Sequence, residues 1–137
     1  MKRTIILLMM TILGIHVSFA YDFEVDGIYY NVLKGSTNQV EVTESPNYNY
    51  SGDIDIPQKV SHNGTNYTIV SIGESAFSYC EGLLSVSLPS SLEEIGYCAF
   101  CNTHISKITI PNSVKSVGEY NQEIKGETNV EIIPVIA

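Results

Sequence analysis

Two stretches of the chain can be laid one under the other: IGESAFSYCEGLLSVSLPSSLEEIG from Ile72, and IGYCAFCNTHISKITIPNSVKSVG from Ile95. Ile72, Gly73, Ala76 and Phe77 return as Ile95, Gly96, Ala99 and Phe100 at a separation of 23. Val86, Leu88, Pro89, Leu92, Ile95 and Gly96 return as Ile108, Ile110, Pro111, Val114, Val117 and Gly118 at a separation of 22. The one-residue difference falls after the phenylalanine, where SYCEG is matched by CNTH. A loop absorbs such a deletion; a stacked core does not. A period of this length belongs to solenoids, whose single turns are too small to bury their own apolar side and do so against their neighbours. The expected fold is mainly β, a short solenoid of 22–23-residue turns, each a strand plus a short helical turn.

The pattern inside each turn has a physical reading. Val86-Ser-Leu88 and Ile108-Thr-Ile110 alternate apolar and polar, as a strand with one buried side requires. Pro89 and Pro111 lack the N–H that would continue a ladder, so the strand stops there. A glycine after Ile95 or Val117 permits the next bend, and the Ala-Phe pair then fills the interior. The interior is therefore assigned to Ile72, Phe77, Val86, Leu88, Ile95, Phe100, Ile108 and Ile110.

The same signal reaches further in both directions. Ile54, Ile56, Pro57 and Val60 precede Val86, Leu88, Pro89 and Leu92 by 32 residues. The extra length is an insertion at 60–70 containing Asn63-Gly64, the dipeptide favoured in two-residue hairpins. Upstream, Asp26-Gly27 and a turn near Gly35 imply a three-stranded meander over Phe23 to Val25, Ile28 to Leu33 and Gln39 to Val42, covering the first edge of the stack. Downstream, adding 22 to Ile108 and Ile110 lands on Val130 and Ile132, so a strand is expected near Asn129 to Ile133. The same step from Ala99 and Phe100 lands on Asn121 and Gln122, so Tyr120 to Thr128 should pack poorly, with no polar cap after it. The organisation expected is a meander module and linker at 21–52, repeats at 53–119 and a degenerate turn at 120–137.

Residues 1–20 read as an export signal: Lys2 and Arg3, an apolar run from Thr4 to Ile15, then Ser18-Phe19-Ala20 before a cleavage point. The run is shorter than the roughly 20 apolar residues that span a bilayer. No cysteine at the junction suggests lipid attachment. Removing the segment takes two of seven basic residues and none of fifteen acids, moving the net charge from −8 to −10. Such a surface repels phosphate backbones and anionic headgroups, so neither nucleic acid nor a membrane is an expected partner. Three cysteines allow one disulfide at most, so stability must come from burying the 44% of residues that are hydrophobic.

SIGESAFSYCEGLLSVSLPSSLEEIG and ITIPNSVKSVGEY resemble the BspA-type leucine-rich repeat of bacterial surface proteins. DFEVDGIYYNVL, YSGDIDIP and SHNGTNYTIVSIG resemble the module that opens such arrays, so the likeness covers Tyr21 to Glu119. It implies a right-handed β-solenoid, export, and adhesion or host-protein binding, fibronectin and fibrinogen being typical ligands of the family. Family members commonly carry many turns; this chain has two good ones and two partial ones.

Several groups invite a chemical reading. Cys98 and Cys101 form a C-x-x-C, but they stand where Ser75 and Ser78 stand one turn earlier, which favours packing thiols. The alternatives are a disulfide from Cys80 to Cys101 or Cys98, and a zinc site from the three cysteines with His104. Asp53 and Asp55 read as solvated surface, with weak calcium binding as the alternative. No nucleophile elbow, H-E-x-x-H or phosphate-binding glycine loop occurs, and no cofactor motif, so an enzyme is not expected.

What the repeat offers is a surface. Ser87, Thr109 and Glu131 should project from one outward row with Asp55, and Ser85, Lys107 and Asn129 from the next with Asp53. Asp53, Asp55, Ser85, Ser87, Lys107 and Thr109 are thus the candidate binding face. Tyr29, Tyr30, Tyr48 and Tyr50 offer a second docking area, with Tyr30 equally suited to the core. The function expected is an exported, secreted or cell-surface module binding an extracellular protein or glycan. The alternative is a structural spacer or self-assembling unit that pairs through its C-terminal edge.

Overall fold

A computed structural model describes residues 20–105, 107–121 and 131–134. The chain opens with an antiparallel meander of β1 (Phe23–Val25), β2 (Ile28–Val32) and β3 (Gln39–Val42). Asp26 and Gly27 have φ of 50° and 82°, so both centre residues of the first hairpin are left-handed. Asp-Gly tolerates this where a β-branched pair would not. Alternation along β2 buries Ile28 and Tyr30 and leaves Tyr29 half-exposed.

The remaining strands are β4 (Gly52–Asp55), β5 (Lys59–His62), β6 (Thr65–Ile72), β7 (Leu83–Ser87), β8 (Glu94–Ile95), β9 (Lys107–Ile110), β10 (Ser116–Val117) and β11 (Glu131–Pro134). β5 and β6 form the Asn63-Gly64 hairpin, again with both turn residues at positive φ. β4 pairs parallel with β7, and β9 with β11. β7 ends two residues before Pro89 and β9 one residue before Pro111. A second parallel ladder, not read from the sequence, runs β3–β6–β8–β10 through Ile72, Ile95 and Val117. The meander joins this second ladder only, through β3. It therefore leaves β4, which pairs with β7, paired on one side alone among the described residues.

A third side closes each turn. Around Ala76-Phe77 and Ala99-Phe100 the backbone makes four-residue β-turns in succession in place of the expected helical turn, with positive φ at Ser75, Tyr79, Cys98 and Asn102. Alternate N–H groups serve different partners. Those of Ala76, Ser78 and Cys80 donate three residues back, while those of Ser75, Phe77 and Tyr79 donate to Tyr97, Ala99 and Cys101 of the next turn at 2.8–3.0 Å. A regular helix would spend every N–H on itself and leave the stack unjoined here.

The core runs continuously from the meander into the stack. Phe77 and Phe100 lie parallel, ring centres 5.3 Å apart and planes 3° apart, and the Tyr50 ring centre lies 4.8 Å from that of Phe77. Ile72, Val86, Ile95, Ile108 and Ile110 are buried, and Leu88 is half-buried at the rim of the core. Each fully buried aliphatic or aromatic side chain contributes about 1.5–3 kcal/mol, which explains how a chain without a staple between its turns holds together.

The repeat glycines serve a purpose other than the expected bend: Gly73, Gly96 and Gly118 are absent from the positive-φ positions. They let turns approach. A Cβ on Gly96 would lie 2.7 Å from the Glu74 nitrogen and 2.8 Å from the Gly73 carbonyl carbon.

Two expectations about the end of the array are corrected. β11 pairs Glu131 with Lys107 and Ile132 with Ile108, a step of 24 where 22 was expected, so Glu131 belongs to the Lys107 row and not to that of Thr109. The slip is even, so it keeps the parity of the register. Asn121, expected in a poorly packed segment, is 2% exposed. Its Nδ2 donates to the Gly96 and Gly118 carbonyls at 2.7 and 2.8 Å, and its Oδ1 accepts from the Phe100 N–H at 3.3 Å. It stands at the place of Ala76 and Ala99 and closes the end of the turn with polar atoms. Residues 122–128 of the expected loose segment, and Asn129, lie outside the described residues, as does the expected export signal before Ala20.

Candidate binding face

The outward residues of the first ladder are set by strand parity. Asp53 is in register with Ser85, and Asp55 with Ser87; all four side chains are exposed. The Ser85 Oγ donates to Asp53 Oδ1 at 2.6 Å, tying two turns across 32 residues. Thr109 is exposed on β9, where Lys107 is placed by its backbone opposite Glu131. The face is not one sheet, because among the described residues no ladder joins β7 to β9. Between them lies an open groove of 460 Å³, with Ser87, Leu88 and Ser90 on one side and Ile108, Thr109 and Pro111 on the other. The structure therefore brings Asp53, Asp55, Ser85 and Ser87 together and sets Thr109 across a cleft with an apolar floor, on the strand whose backbone also carries Lys107.

A second groove, of 560 Å³, runs beside β4 on the side away from β7. Its walls include Asp26 and Ile28 of the meander, Asp53, Ile54 and Asp55 of β4, and Lys59 and Val60 of the hairpin.

Tyrosine placement departs from expectation. Tyr30 and Tyr50 are buried, so neither is a docking group. The Tyr50 hydroxyl donates to the Thr43 carbonyl at 2.8 Å and accepts from the Tyr29 N–H at 2.9 Å. Burial pushes both phenols far above the usual tyrosine range. Exposed tyrosines lie elsewhere: Tyr48 against Tyr79, and Tyr97 against Tyr120, in edge-on pairs with ring centres 6.2 and 5.4 Å apart. Of these only Tyr48 was singled out from the sequence. Tyr97 and Tyr120 are 23 residues apart where the step of this turn is 22, from Gly96 to Gly118, so they are neighbours across the stack but not repeat equivalents.

The cysteine reading is corrected as well. Cys98 and Cys101 form a disulfide with Cα atoms 5.0 Å apart, and Cys80 is a buried free thiol. Left-handed φ at Cys98, with the Cys101 N–H donating to the Cys98 carbonyl at 3.2 Å, folds the two thiols onto one another. Cys80 is one repeat from Thr103, not from Cys101, and both are buried. Burial raises the Cys80 thiol above the usual range. His104 is exposed, and His62 stacks on Phe23 with ring centres 4.5 Å apart.

The fold is similar to a leucine rich cell surface protein from Faecalibacterium prausnitzii, with TM-score 0.65 and 26% identity; 86% of this chain aligns with 31% of that one. It is also similar to a leucine-rich repeat protein from Bacteroides capillosus (TM-score 0.54, 20% identity, 82% of this chain and 97% of that one). The pneumococcal vaccine antigen PcpA gives TM-score 0.55 at 17% identity, over 82% of this chain and 38% of that one. The chain thus spans under a third of the length of the first of these and nearly all of the second. No curated protein matches it. The sequence pattern of the BspA type leucine rich repeat region is met in six copies over residues 57–133, more than half the chain. Repeat length, stacked turns and sequence pattern agree, and the chain belongs to the BspA-type leucine-rich repeat family.

Proposed function

We propose that the protein is an exported, non-enzymatic binding module that presents Asp53, Asp55, Ser85, Ser87, Lys107 and Thr109 to an extracellular protein or glycan. One observation carries this reading. Short polar side chains stand exposed on two rigid parallel ladders and flank a cleft floored by Leu88 and Ile108. Polar positioning groups around an apolar floor are what recognition surfaces supply, and a strand ladder holds them without an ordering cost at binding. Family membership and the likeness to a cell surface protein support the location. Among the described residues no helix is long and apolar enough to cross a membrane.

The test is a binding panel of fibronectin, fibrinogen and immobilised glycans against the mature protein, Tyr21 to Ala137. At least one should bind, and Ser87→Arg with Thr109→Arg should weaken it tenfold or more. No binding, or binding indifferent to both substitutions, would sink the reading. Export has its own measurement: N-terminal sequencing of the secreted protein should begin at Tyr21.

A further inference from the structure

Among the described residues, β4 hydrogen-bonds on one side only. The Gly52 and Ile56 N–H groups donate to the Gly82 and Ser87 carbonyls of the neighbouring turn. In a parallel ladder alternate residues address opposite sides. The N–H and C=O groups of Asp53 and Asp55 therefore point away from β7, toward the 560 Å³ groove, and no backbone group among the described residues meets them. The meander extends only the other ladder, so none of its strands pairs with this edge.

From this open edge, its floor and its charge we infer that β4 accepts an extended peptide segment of another protein as an added strand, with a basic–apolar–basic sequence. An added strand places its side chains in the same alternation as β4. Residues in register with Asp53 and Asp55 project outward beside two carboxylates, with Asp26 also on the wall and Lys59 the one cation there. The residue between them points inward over half-buried Ile54 and toward Ile28 and Val60. Opposite charges directly across a ladder attract and like charges repel, which chooses lysine or arginine at the two outward places. The same rule disfavours a second copy: continuing the ladder with its β11 in the same parity puts a further acid, Glu131, in the row of Asp53. Charged edge residues are a common guard against self-pairing, and here the guard leaves a basic strand admissible.

The inference rests on the reading of the chain as a protein-binding module and adds the free edge of β4, sharing Asp53 and Asp55 with the outer face but not Ser87 or Thr109. Two dye-labelled, end-blocked hexapeptides serve as probes, Thr-Lys-Val-Lys-Val-Thr and its twin with glutamate for lysine, titrated by fluorescence anisotropy at low salt. The lysine peptide should bind at least tenfold tighter, and added salt should weaken it. Asp53→Lys with Asp55→Lys should invert the preference. Asp55→Pro removes a free-edge N–H while sparing the bonds to β7, and should abolish binding of the lysine peptide, with circular dichroism checking the fold. Equal affinity for the twins, no binding of either, or binding indifferent to Asp55→Pro would overturn the inference. So would a concentration-dependent dimer abolished by Asp55→Pro, which would give the edge to a second copy. If the edge fails while matrix binding still responds to Ser87 and Thr109, only this inference falls.

Discussion

At the scale of single residues, the stack depends on side chains that are missing or small. Gly96 and Gly118 are glycine because the backbone of the previous turn occupies the space of a Cβ: for Gly96 the Glu74 and Gly73 atoms, for Gly118 the Tyr97 nitrogen. Gly96→Ala should therefore cost about 1–3 kcal/mol in urea denaturation, the range of a forced backbone shift in a packed core. Gly35→Ala meets no atom within 4 Å and pays only for its positive φ, so a loss of about 1 kcal/mol is expected there. Glu41 makes a different prediction. Burial, and then the nearby Glu94, raise its carboxyl above the usual carboxylate value, against a lowering by the Asn31 hydrogen bond. A raised folded-state value means the ionised form burdens the fold above the carboxylate range, and the burden lifts as pH falls through it. Glu41→Gln should stabilise at pH 7 by no more than about 1 kcal/mol, given its partial exposure, and the gain should vanish near pH 4. Cysteine pairing was not legible at this scale, because it depends on the left-handed φ of Cys98 and no spacing rule reports a dihedral.

At the scale of elements, the hairpins were legible because Asp-Gly and Asn-Gly encode both the turn and its length. The strands before Pro89 and Pro111 were legible because proline removes a donor. The Ala-Phe pair leads from sequence to a short helical turn on the third side, and it suits overlapping turns equally well. The choice was made by neighbours: odd-numbered N–H groups from Ser75 to Tyr79 reach the next turn, and only the turn conformation frees them. Stacking of the turns also sets an order of sensitivity. Phe77 has ring contacts with both Tyr50 and Phe100, whereas the stacking partner of Phe100 is Phe77. Both alanine substitutions should cost about 3–5 kcal/mol, with Phe77→Ala the more severe, measured as loss of unfolding free energy in urea. Asn121, by contrast, was misread because a polar residue in an alanine place looks like the end of packing. Its three hydrogen bonds turn it into a closure that satisfies the backbone groups an apolar residue would leave open.

At the scale of the whole molecule, one core links the meander to the stack: Tyr30, Val40 and Val42 share a cluster with Phe77 and Ile95. The N-terminal module should not unfold ahead of the repeats. Tyrosine fluorescence, weighted toward the meander and Tyr50, and far-ultraviolet dichroism should give coincident urea transitions, and separated midpoints would show two independent units. The repeat period and the alternation within it were enough to determine a stacked β architecture, its interior and the sign of its surface, because burying one side of each turn leaves little choice. Which edges stay open, where the ladder parts between β7 and β9, which cysteines meet and which tyrosines face solvent were decided only when the turns closed on one another. Those outcomes depend on how neighbouring backbones share hydrogen bonds and space, and that sharing is a property of the assembled stack, not of any segment within it.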